Sequence, residues 1–104
     1  MKLSSLLEQI EYTCCQGTTD IQVEDVVFDS RKVVEGSLFV CIRGAVSDGH
    51  RFVPDVVERG ASVLIVEEEV SVPDHVTVIR VEDTRYALAC ISAAYFDHPA
   101  QKLK

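Results

Sequence analysis

The chain has 104 residues, of which 47% are hydrophobic and 26% charged, and its 17 Asp and Glu outnumber its 10 Lys and Arg to give a formal charge of −7. This is the profile of one globular domain, large enough for a single core and too small for a two-domain enzyme with a cleft between its halves. Acids outnumber bases in both halves, so there is no basic block to neutralise a phosphate backbone and nucleic acid is not an expected partner. The longest apolar runs, residues 37–42 and 62–66, fall far short of the ~20 residues of a membrane span, and the N-terminus has no signal-peptide pattern. No membrane partner is expected, and the cytosol is the expected compartment.

Leu3, Leu6, Leu7 and Ile10 follow the i, i+3, i+4, i+7 rule, and Ser5 and Glu8 have capping-box spacing, so a short amphipathic helix is predicted to open the chain. It should end within residues 13–19, near Gly17. Ile21, Val23, Val26, Val27 and Phe28 form a strand-like run that stops at the polar triplet Asp29, Ser30, Arg31. Residues 38–42 are continuously apolar between Gly36 and Gly44, which predicts a strand covered on both faces.

After a glycine-punctuated loop over residues 43–49, Phe52, Val53, Val56 and Val57 return to helical spacing, with Pro54 in the first turn and Gly60 as the stop. Residues 62–66 read as a second buried strand, and Glu67, Glu68 and Glu69 open a solvated connection. Val76, Val78 and Val81 suggest another strand, and Asp83 or Thr84 can cap a long helix carrying Leu88, Ile91 and Tyr95 that runs to about Asp97, before Pro99. The pattern predicts an α/β domain: a single small unit with a mixed sheet of four to five strands flanked by helices.

In such sheets ligands usually meet the loops at strand ends, here those after Phe28 and after Ile42. Asp29, Ser30 and Arg31 supply a carboxylate, a hydroxyl and a guanidinium fork, a set suited to the oxygens of a phosphate or sugar and equally to an Asx-type turn with a surface arginine. The loop holding Ala45, Val46, Ser47 and Asp48 leads into a helix, so its N–H groups either face an anion or base edge or serve the turn, with Asp48 as a helix cap. Cys14, Cys15, Cys41 and Cys90 form no C-x-x-C pair, and His50, His75 and His98 are scattered, so a reduced chain without metal is expected. No phosphate loop, dinucleotide fingerprint or nucleophile elbow is present, so the chain by itself should not turn over ATP.

Taken in order and spacing, residues 28–31 (Phe-Asp-Ser-Arg), 35–40 (Glu-Gly-Ser-Leu-Phe-Val), Gly44, Asp48, Gly49, His50, Phe52, Gly60 and Ala61 resemble the N-terminal domain of the Mur ligases. Residues 81–88 and 95–99 resemble the helix that precedes that family's central ATPase domain. The resemblance implies that residues 1–104 are a UDP-binding first domain, stopping just short of a phosphate loop, with the central ATPase and C-terminal domains lying outside the chain as partners.

It further implies a cytoplasmic enzyme of peptidoglycan synthesis whose substrate is UDP-MurNAc-L-Ala-D-Glu. ATP with Mg2+ activates the D-Glu carboxylate as an acyl phosphate, which a diamino acid, L-lysine or meso-diaminopimelate, then attacks. No cofactor and no catalytic residue is implied for this chain itself. Carried over by motif, Phe28 and Ser30 contact the nucleotide, Ser30 by its hydroxyl, while Ala45, Val46 and Ser47 line the uracil and ribose side. Asp29 and Arg31 either contact the ligand or pin the turn. In some family members the positions of Ala45 and Val46 are polar, so here hydrogen bonds must come from the backbone. The alternatives are the branch adding D-Ala-D-Ala, which shares the Asp-[Ser/Thr]-Arg pattern, and a free-standing protein-interaction module.

Overall fold

The computed structural model describes residues 2–42 and 49–96. Five strands form one sheet: β1 (Thr13–Gln16), β2 (Asp25–Val27), β3 (Ser37–Val40), β4 (Val63–Val66) and β5 (Thr77–Arg80), in the order β1-β5-β4-β3-β2. Strands β2 to β5 run parallel, and β1 lies antiparallel on the outer side of β5. Every residue of β3 and β4 is buried, as their unbroken apolar runs require when both faces of a sheet are covered.

Period-2 alternation divides these side chains between two cores. Leu38, Val40, Val63, Ile65 and Ile79 meet Leu3, Leu6 and Leu7 of the opening segment and Ala87 and Ile91 of α3 (Thr84–Phe96). On the other face, Phe39, Cys41, Leu64, Val66 and Val78 meet Val53 and Val56 of α2 (Val53–Glu58), together with Ala61. Cys41 is buried and Cys90 half-buried, while Cys14 and Cys15 are exposed, and none of the four is in a disulfide. Pro54 occupies the first turn of α2, and the chain leaves that helix through Gly60 at φ +110°.

Three local expectations need correction. Residues 13–16 are not the tail of a helix but the edge strand β1; its first three residues are exposed, so no hydrophobic alternation marks it. What fixes it is pairing to a distant strand, Thr13 with Arg80 and Cys14 with Ile79, and the Gln16 side-chain amide donating to the carbonyls of Pro73 (2.7 Å) and Val76 (2.8 Å).

The opening helix, α1, spans only Leu3–Leu6 with Lys2 as its N-cap, so Ser5 lies inside it and is no cap. Its first N–H groups donate instead to Ile21 O (2.9 Å) and Thr19 O (3.1 Å), which holds that segment against the chain start, outside the sheet.

Glu67 does not belong to a solvated connection. Its Oε2 accepts from Thr84 N (2.8 Å) and Thr84 Oγ1 (2.9 Å), tying the end of β4 to the start of α3. Asp83 supplies the N-cap proper, accepting from Arg85 N (2.9 Å) and Tyr86 N (3.2 Å).

Candidate functional site

Because β2 to β5 are parallel, their carboxyl ends share one edge of the sheet, and the turn after β2 sits beside the segment after β3. Val26 and Val27 are held by the core, whereas Phe28, one residue on, is 64% exposed. Hydrophobic anchoring thus stops at the residue where the polar triplet begins, and an aromatic face is left in water beside it.

Residues 30–32 then form one 3-10 turn, with Asp29 extended at its start. The Asp29 carboxylate accepts from Arg31 N (2.9 Å), Arg31 Nε (3.1 Å) and Arg31 Nη2 (3.0 Å), a fork-on-carboxylate pair closed by a backbone bond. These donors, the guanidinium first and the backbone N–H second, hold the Asp29 carboxyl well below the usual carboxylate range, at about 2. Arg31 therefore spends its fork on its own chain and pins the turn, while its side chain stays 83% exposed.

Ser30, between them, is half-buried, and its hydroxyl makes no hydrogen bond among the described residues. The turn accordingly offers an exposed ring at Phe28, a hydroxyl at Ser30 and a fixed backbone between them. This arrangement suits holding a planar ring with an adjacent polar group, and it contains no base or nucleophile pair for covalent chemistry. Ala45, Val46, Ser47 and Asp48 lie outside the described residues.

Two clefts among the described residues lie elsewhere. One of about 430 Å³ lies between β1 and the 69–72 connection, lined by Cys15, Gln16, Glu69 and Val72. Another, of about 400 Å³, opens at the carboxyl end of β5 between Tyr12, Glu67, Arg80 and Glu82. Carboxylates dominate the second, which disfavours a phosphorylated ligand there, so the polar turn after β2 remains the better candidate despite its openness. Among the described residues no cluster of three or more His, Cys, Asp or Glu could hold a metal ion, and no helix is long and apolar enough to cross a membrane.

Sequence reasoning missed the Glu67 clamp and the Tyr95 hydroxyl that donates to Glu24 O (2.9 Å), fastening the end of α3 to the approach to β2. No local signal marks either contact, since the partners are 17 and 71 residues apart.

The fold thus defines a small α/β module with a four-stranded parallel core and a polar turn at its carboxyl edge. Residues 22–96 match the Mur ligase family, catalytic domain. Over all 104 residues the chain is 44% identical to the UDP-N-acetylmuramoyl-L-alanyl-D-glutamate–2,6-diaminopimelate ligase of Clostridium perfringens, of which it covers 22%. It is 42% identical, over 102 residues, to the ligase of the same name from Clostridioides difficile, covering 98% of this chain and 21% of that one. Among solved structures, MurF from Acinetobacter baumannii superposes with a TM-score of 0.77 at 28% identity, over 96% of this chain and 22% of its own. The chain belongs to the Mur ligase family. It spans about a fifth of the length of the curated relatives it matches.

Proposed function

We propose that this chain is the nucleotide-holding first module of a ligase that extends the peptide of UDP-MurNAc-L-Ala-D-Glu by a diamino acid, with residues 1–104 forming one domain. The observation that carries the reading is the 44% identity, along the whole chain, to a ligase named for that substrate and for 2,6-diaminopimelate. The MurF structures share the fold at 28% identity, so the D-Ala-D-Ala-adding branch is the weaker alternative. Diaminopimelate, rather than L-lysine, is the amine that the relatives' names favour.

The parts divide by chemistry. The module binds and orients: Phe28 offers a ring face to the uracil, Ser30 a hydroxyl to the nucleotide, and the Asp29–Arg31 pair fixes the turn that presents both. Ala45, Val46 and Ser47 complete the uracil and ribose side in this proposal. The chain carries no phosphate loop, so ATP and Mg2+ act in the remaining domains. There the γ-phosphoryl group passes to the D-Glu carboxylate, and the amine displaces inorganic phosphate as the amide bond forms. The enzyme works in the cytoplasm, where UDP-linked precursors and ATP are both at hand.

An acidic module cannot attract a nucleoside diphosphate by its long-range field, so recognition must rest on local contacts. Titration of the nitrogen-15-labelled chain with UDP, then with UDP-MurNAc-L-Ala-D-Glu, and with ATP as control tests this directly. Amide shifts confined to residues 28–31 and 44–49, produced by both uridine ligands and not by ATP, are expected. Equal responses to ATP and UDP would refute uridine recognition.

A further inference from the structure

Helix α3 is built like a buried helix on a face that no described residue covers. Of its thirteen residues only Arg85 is charged, whereas the chain's average of 26% would place about three charges there. Thr84, Ala87 and Ile91 face the core. The opposite arc runs through Tyr86, Ala89, Ala93 and Phe96, all exposed, with Tyr86 at 60% and Phe96 at 64%. These positions lie on one side of a 3.6-residue helix, so the small alanines form a floor between two aromatic rings. Soluble helices normally turn charges to water, and an apolar stripe of this kind marks a contact surface.

The Phe96 end of the stripe is held in place. Tyr95 and Phe96 stack edge to face with centroids 4.8 Å apart, and the Tyr95 hydroxyl is bonded to Glu24 O, so the end of the helix is anchored to the sheet. Aromatic side chains fixed before binding lose little entropy on contact and serve well as interface anchors. The occupant follows from length and charge. Relatives matched along this whole chain are about five times as long, so most of such a ligase lies outside it. A partner tethered in the same polypeptide needs only a modest apolar contact, because its effective concentration is already high. With Arg85 as the one charge at its edge, the stripe also suits an apolar surface better than a basic one.

We infer that the Tyr86, Ala89, Ala93 and Phe96 face of α3 docks against an apolar surface in the remaining part of the same ligase, setting the orientation of the nucleotide-holding module. This rests on the reading of the chain as one module of a longer enzyme. Amide hydrogen exchange over residues 86–96 is compared in the 104-residue chain and in the full-length ligase. Exchange at least about tenfold slower in the full-length protein is expected, with Ala93→Glu and, independently, Tyr86→Lys removing the difference. The same substitutions should leave UDP binding by the 104-residue chain unchanged, which confirms that each variant folds.

Equal exchange in the two proteins overturns the docking while leaving nucleotide binding intact. A gene ending at codon 104 overturns the longer enzyme and the docking together. In sedimentation velocity, a concentration-dependent dimer of the 104-residue chain that Ala93→Glu abolishes assigns the face to a second copy and also overturns the proposal.

Discussion

Gly60→Ala probes how the end of α2 is joined to the start of β3. Gly60 sits at φ +110°, outside the range side chains favour, and a Cβ there would lie 2.7 Å from Glu35 Cα and 3.2 Å from Glu35 N. The obstacle is backbone, and it cannot swing aside, because Gly36 N donates to Gly60 O (2.9 Å) and locks the two segments together. Backbone strain at such a φ is worth about 1–3 kcal/mol, and forced overpacking adds a similar amount. Reduced freedom of the unfolded chain offsets only about 0.4–1 kcal/mol.

A net loss of about 3 kcal/mol follows from these terms, equivalent to a fall in Tm of roughly 12–24 °C for a domain of this size. Thermal unfolding followed by circular dichroism measures it, with Arg59→Ala, one residue earlier and exposed, as the control expected to stay within about 0.5 kcal/mol. A Gly60→Ala midpoint within about 3 °C of the parent would refute the argument that close approach and positive φ require glycine here.

Ser30→Ala should weaken UDP binding by about 1 kcal/mol, roughly fivefold, with no change in Tm; an unchanged dissociation constant removes Ser30 from the site. Arg31→Ala should let the Asp29 carboxyl rise from about 2 toward the ordinary carboxylate range, read from its carbon-13 shift against pH. Since the folded value is depressed, the pair's contribution to stability is complete above about pH 4 and fades as pH falls toward 2, and the variant, which keeps only the backbone donor, should lose the larger part of that dependence. Asp83→Ala removes the α3 cap and should cost about 1 kcal/mol in urea unfolding. Glu67→Ala should cost more, about 2 kcal/mol, because it leaves the N–H and hydroxyl of fully buried Thr84 without their acceptor.

Strands β3 and β4 and the second and third helices were legible in the sequence because their signals are local. A strand buried on both faces must be apolar at every residue, as β3 and β4 are, and a helix with one buried face must repeat near 3.6, as Val53 and Val56 or Ala87 and Ile91 do. The turn at residues 29–31 was legible as a polar break after an apolar strand, although its chemistry admitted two readings. Tertiary structure decided the rest. Strand β1 exists through pairing with β5 across more than sixty residues, and an exposed edge need not carry an apolar pattern. Glu67 reads as one of three solvated acids until the fold brings Thr84 to it. Residue spacing does not encode where the Arg31 fork lies, and in the folded chain it lies on the Asp29 carboxylate.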